Sequence, residues 1–215
     1  IHPDGSKLFF HSYRPLEKGS QISDVVNIWY VVKEGAGWSE PRPVGPPVNG
    51  DGFVCCPSVT RTGTLYYSKK TKDGGERIYR SRFVNGKYME PEELPRQVNR
   101  DKEQYHAVIS HDESYLILPR DNYLVSFRDE QDRWSDLIPL GDAVNKMRSG
   151  GCPSLSSDGK YFFFTAYPQV KWNKFFEKRH AYKDLQDITL QHPAPERTDI
   201  FWVDANIIEA LRPKE

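Results

Sequence analysis

Cysteine is scarce, with three in 215 residues, too few for a disulfide framework. Long apolar runs are missing too. The longest, Ile28–Val32, is strand-sized, far short of the ~20 residues of a membrane span. Net charge is absent, since 30 Lys+Arg balance 30 Asp+Glu. That argues against a dedicated nucleic-acid binder, which carries a basic excess. Hydrophobic residues stop at 37%. The chain has no Gly-x-Ser-x-Gly elbow, no P-loop and no Cys-x-x-Cys pair, so the commonest local signatures of hydrolase, nucleotide and zinc chemistry are missing.

Aromatics, in contrast, reach 13%, and 15 Gly and 16 Pro punctuate the chain. Aromatics among many turn formers point to short β-strands. Three signatures recur in one order. A turn leads into an aromatic strand at Pro3–Phe10, Thr62–Tyr67, Asp112–Ile117 and Asp158–Phe163. A second strand follows at Ile28–Val31, Ile78–Ser81, Leu124–Phe127 and Ile200–Val203. An aromatic-led segment then ends in Val-Asn at Asn49, Asn99 and Asn145. From Ile28 to Ile78, Trp38 to Tyr88 and Asn49 to Asn99 the step is 50 residues; the next step is 46 for all three.

A period of ~40–50 residues with about four strands per unit is the propeller signature. The expected fold is all-β: a β-propeller of four-stranded antiparallel blades, five in the full ring and four represented here. Blade 1 covers about 1–49, blade 2 about 50–99, blade 3 about 100–145 and blade 4 about 146–204. In blade 2, strand A runs to Val59, strand B starts at Leu65, strand C is Ile78–Phe83, and Asn85-Gly86 turns into strand D. Both faces of a blade pack on neighbours, so Phe162-Phe163-Phe164 needs no binding role. Segments upstream of Ile1 are expected to complete the ring. Leu124 to Ile200 is 76 residues, which places an insertion at 167–198. Its centre, Asn173–Ile188, has a helical apolar face of Phe175, Tyr182 and Leu185. A short C-terminal helix is expected over 206–212, with Asn206 and Glu209 as a capping box.

Pro3-Asp4-Gly5 before Leu8-Phe9-Phe10, Ser157-Asp158-Gly159-Lys160, Tyr79–Phe83 with Asn85-Gly86, and the tail Asp199–Leu211 together resemble the TolB-type, WD40-like β-propeller repeat. More closely, they resemble exported bacterial five-repeat proteins of Bacteroidetes type. The resemblance spans nearly the whole chain. It implies a periplasmic or secreted interaction platform, and it assigns no chemistry. The chain departs from that pattern at Glu113, where a turn glycine is usual, and at Ala107, where blades 2 and 4 have Pro57 and Pro153.

In a propeller the D–A and B–C loops gather at one mouth of the central channel. Here the D–A loops are Gly50–Cys55, Arg100–Tyr105 and Lys146–Gly151. Arg14, Lys69, Lys70, Arg120 and Arg148 fall in mouth loops, beside Tyr105, His106 and Tyr167. Forked guanidinium donors suit anions, and aromatic faces stack on sugars. The expected partner is a glycan, an anionic small molecule or a protein, bound without catalysis. The plainer alternative is a solvated rim in which these cations pair with nearby acids. Aligned strands A put Cys56, His106 and Cys152 at one equivalent position, a set that suits zinc or merely fills a narrow place; no other cofactor is expected. Asp51, Glu103 and Asp121, with His106, are the candidates for a carbohydrate hydrolase or lyase, which needs paired carboxylates.

Overall fold

A computed structural model of the chain describes residues 1–17, 19, 21–50, 52–167 and 198–213. Among the described residues it is all-β, with four antiparallel sheets in a propeller-like ring and two short helices. The first sheet holds β1 (Lys7–Ser12), β2 (Asn27–Glu34), β3 (Gly37–Trp38) and β4 (Arg42–Pro43). The second holds β5 (Val54–Val59), β6 (Leu65–Lys70) and β7 (Glu76–Ser81); a side ribbon of β8 (Phe83–Val84) and β9 (Lys87–Tyr88) follows, then β10 (Glu92–Glu93) returns to β7. The third is β11 (Val108–Ile109), β12 (Tyr115–Pro119), β13 (Tyr123–Phe127) and β14 (Ile138–Pro139), followed by helix α1 (Gly141–Asn145). The fourth is β15 (Arg148–Leu155), β16 (Tyr161–Tyr167) and β17 (Asp199–Asp204), followed by helix α2 (Asn206–Glu209).

Two recurring signatures have a clear physical cause. At the first turn an Asp side chain accepts a backbone N–H two residues on: Asp4 from Ser6 (2.8 Å), Asp112 from Ser114 (3.1 Å) and Asp158 from Lys160 (3.1 Å). The chain then passes through a left-handed residue, which is Gly5, Gly63 and Gly159 in three sheets and Glu113 (φ 65°) in the third. Glu113 is held there by an ion pair with Arg128 at 3.0 Å. The Val-Asn signature is a clamp. Asn49 accepts the Ile28 N–H (2.9 Å) and donates to the Ile28 carbonyl (2.8 Å). Asn99 does the same to Ile78 (2.8 and 3.0 Å) and also donates to the Leu94 carbonyl (2.8 Å). Asn145 clamps Tyr123 (2.8 and 3.0 Å). One amide thus stands in for a missing strand neighbour, of β2, β7 and β13 in turn.

Strand alternation sends successive side chains to opposite faces, and each face meets a different neighbouring sheet. Tyr67 joins Ile28, Val54 and Val59 in the core between the first and second sheets. Its neighbour Tyr66 joins Leu116, Leu118 and Trp134 in the core between the second and third. Tyr115 and Ile117 point the other way, into a core with Phe162, Phe164 and Ile208. Polar ties cross the same boundaries. Arg80, nearly buried, pairs with Glu92 (2.9 Å) of its own sheet and Asp132 (2.5 Å) of the next, where Arg82 and Arg128 converge on the same carboxylate (2.8 and 2.6 Å). The buried Tyr123 hydroxyl reaches the carbonyls of Gly151 and Thr165 in the fourth sheet, the latter at 2.6 Å, and accepts the Thr165 N–H at 3.2 Å.

Three sequence expectations need revision or fall elsewhere. Asn85-Gly86 does make a two-residue hairpin, with φ of 50° and 78°, but it joins β8 to β9; the fourth strand of that sheet is β10. The C-terminal helix is four residues long, not 206–212, and has no capping box. Asp204, nearer the free N–H groups, accepts from Asn206 at 2.8 Å, and Glu209 pairs with Arg212 at 2.8 Å instead. The expected helical insertion lies outside the described residues, apart from its ends Tyr167 and Thr198. Among the described residues, no helix is long and apolar enough to cross a membrane.

Candidate functional site

The inner strands of three sheets deviate at one equivalent point. Cys56, His106 and Cys152 all take left-handed backbone, with φ of 55°, 57° and 52°. The β5–β6 register shifts between Cys55 and Ser58, and the β15–β16 register between Gly151 and Ser154. Such bulges re-aim a side chain, and left-handed non-glycine residues cost on the order of 1–3 kcal/mol each. The left-handed residue borrows a partner from the preceding sheet: the Cys56 N–H donates to His11 Nδ1 (3.3 Å) and the His106 N–H to Ser68 Oγ (3.2 Å). All three face one cavity of about 310 Å³, walled also by His11, Val59, Val108, Ile109 and Leu155.

The cavity has unusual electrostatics. The sulfurs of Cys55 and Cys56 lie 2.9 Å apart with a hydrogen bond between them, and Glu76 Oε1 lies 3.5 Å from Cys55, whose single proton can serve either the Cys56 sulfur or the Glu76 carboxylate. The hydrogen bond with Cys55, followed by the facing His106 imidazole and the more distant His11, pulls the Cys56 thiol down to about 5 against the cost of partial burial. Cys55 moves the opposite way, pushed up by Cys56, burial and the Glu76 carboxylate. His106 is raised above its ordinary value by Cys56 first and Glu76 second. Burial raises Glu76. This is the pattern of a thiolate–imidazolium pair. Among the described residues no group of three or more His, Cys, Asp or Glu side chains is placed to hold a metal ion. The three aligned positions converge on the one cavity.

A second, larger cleft of about 680 Å³ opens between the third and fourth sheets, with His106 on its wall as well. Tyr105 and His106 meet edge to face, 5.2 Å between ring centroids. Arg148 lies 5.7 Å over the Tyr167 ring. Arg120 is tied by Asp101 and donates to the Glu103 carbonyl at 3.3 Å. Asp121 and Arg100 complete the charged lining, and Gly150 and Gly151 bring backbone to the surface. A Cβ on Gly150 would lie 2.4 Å from the Thr198 methyl, so close approach requires glycine here.

The cleft therefore gathers Tyr105, His106, Arg120, Asp121, Arg148 and Tyr167. It does not gather Arg14, Lys69 or Lys70. Each of those lies over an aromatic ring of its own region: Arg14 over Phe10 (5.5 Å), Lys69 over Tyr79 (5.5 Å) and Lys70 over Phe53 (5.0 Å). Of the carboxylates considered for hydrolysis, Asp121 lines the cleft, Glu103 is exposed and is not part of the lining, and Asp51 lies outside the described residues. Sequence reasoning passed over His11, Cys55 and Glu76 as site residues. The signal for His11 was its alignment with Ser68 in the second strand of the repeat; Glu76 had none, because only the sheet register opposes it to Lys70. No protein-family model matches the chain, and no curated protein matches it either.

Proposed function

We propose that the protein is a non-catalytic binding propeller whose cleft between the third and fourth sheets takes a glycan or a small anionic ligand, acidic sugars fitting both descriptions. One observation carries the reading: two tyrosines and three arginines from two neighbouring sheets and their loops converge on a single cleft of about 680 Å³. Tyr105 and Tyr167 offer faces for a sugar ring. Arg148 offers a forked donor to a carboxylate or sulfate, and Arg120, tied to Asp101, adds positive charge beside it. A rigid scaffold carrying its variable residues on loops is how propellers bind, and the motif resemblance to exported TolB-type proteins adds a periplasmic or secreted setting to this reading. The test is a glycan array followed by calorimetry on the hits. Acidic oligosaccharides should bind, and Tyr105→Ala and Arg148→Ala should each weaken binding at least tenfold while leaving unfolding unchanged. Hits whose affinity survives both substitutions would place the ligand elsewhere.

A further inference from the structure

The channel cavity holds chemistry that ligand binding at the cleft does not use. The bulge in β5 turns Cys56 out of the sheet ladder and into the cavity. The buried Cys55 sulfur stands 2.9 Å behind it, and Glu76 lies 3.5 Å behind Cys55. His106 faces Cys56 from the next sheet, and His11 holds its backbone N–H from the previous one. Four functions are thus in line: an accessible sulfur, an imidazolium that keeps it ionised, a second sulfur within bonding reach, and a carboxylate to take the second proton.

We propose that Cys56 and Cys55 form a peroxide-reactive dithiol, Cys56 as the attacking thiolate and Cys55 as the resolving thiol. The substrate class is a compact hydroperoxide, hydrogen peroxide above all, because the cavity of about 310 Å³ is walled by Val59, Val108, Ile109 and Leu155. The Cys56 thiolate attacks one peroxide oxygen and the O–O bond breaks. Sulfur is oxidised to a sulfenic acid, and the departing hydroxide takes the His106 imidazolium proton to become water. Cys55 then passes its proton to Glu76 and attacks the Cys56 sulfur. The S–O bond breaks, and the leaving hydroxide recovers that proton as a second water. Two thiols and one peroxide become one disulfide and two waters. A disulfide between adjacent residues is strained and readily reduced, so the step is reversible by ordinary thiols. His106 thus has two roles, keeping Cys56 ionised and acting as the general acid toward the departing oxygen.

The experiment uses the full chain with Cys152→Ser, so that only Cys55 and Cys56 carry thiols. One equivalent of hydrogen peroxide should remove both titratable thiols and two hydrogens from the intact mass, and dithiothreitol should restore them. Adding Cys55→Ser should stop the reaction at a sulfenic acid that dimedone traps on Cys56. Between pH 6 and 8 iodoacetamide should label Cys56 with less than a twofold change in rate, whereas an ordinary thiol of pKa ~8.5 rises about seventy-fold. His106→Gln should steepen that profile, with Cys55 still holding it short of an ordinary thiol's. A steep rise in the parent chain, or peroxide consuming these thiols no faster than free cysteine, would overturn the proposal. If Cys55→Ser fails to fold, the parent chain's pH profile and thiol count decide alone.

Discussion

The clamp residue Asn99 makes the sharpest test of how the sheets are held. Its side chain is 7% exposed and makes three hydrogen bonds, one accepted from the Ile78 N–H and two donated to the Ile78 and Leu94 carbonyls. Ile78 is fully buried, so water cannot replace the amide. An orphaned buried donor costs about 1–3 kcal/mol, and carbonyls left with a free lone pair cost somewhat less. Asn99→Ala should therefore remove about 3–5 kcal/mol, a large part of a typical domain's stability. Asn99→Asp is more diagnostic, because it keeps the shape. One carboxylate oxygen can still accept from Ile78, but the other meets two carbonyl oxygens. It should be at least as damaging as alanine at pH 7. Its deficit should shrink as the pH falls and protonation restores one donor. Urea titrations followed by tryptophan fluorescence, at constant m-value, measure all of this. The clamps also predict an order: Asn99→Ala worse than Asn49→Ala, which loses two bonds, and Asn145→Ala mildest because that site is only half-buried. An Asn99→Asp protein as stable as the parent at pH 7 would refute the reasoning.

Other outcomes follow from the same geometry. The Arg80 guanidinium, joined by Arg128 and working against the opposing effect of burial, holds Asp132 well below the usual carboxylate range. A depressed carboxyl contributes stability that is fully present above its unfolded pKa of ~3.9 and is lost as the pH falls through the folded value. Between pH 5 and 2.5 the parent should lose more stability than Asp132→Asn; parallel urea midpoints would contradict this. Tyr123→Phe, which strips the hydroxyl from the boundary between the third and fourth sheets, should cost about 1–3 kcal/mol; a thermal midpoint unchanged within error would count against that tie. Gly150→Ala forces a methyl against Thr198 and Thr165 and should cost about 1–3 kcal/mol by overpacking, with cleft binding weakened in parallel; full stability by urea titration would show that the backbone yields there.

The repeat was legible because its markers obey local chemistry. An Asp beside a left-handed glycine can be read from neighbours two residues apart. The Val-Asn marker was visible as a period but not as a clamp, since its partners lie 21 or 22 residues back. The mouth was legible only in part. Aligning the repeat finds which loops share an end, so Tyr105, Arg120, Arg148 and Tyr167 came together. It cannot say where a long side chain lies, and Lys69 and Lys70 fold back onto Tyr79 and Phe53. The Cys56, His106 and Cys152 alignment was legible because a shared backbone position puts all three on one cavity. The approach of Cys55 and Glu76 behind Cys56 was not, since it depends on the bulge and the sheet register.

The asparagine clamps also bear on how the chain reaches its fold. Each closes a loop of nearly the same short length, so the entropy of closure is modest and nearly equal from sheet to sheet. Contacts of such low sequence separation favour fast, local assembly. The clamped units can therefore form in the order the ribosome releases them, each before the next exists. Only the apolar faces between sheets must wait for a neighbour, so they are the surfaces a half-made chain has to protect.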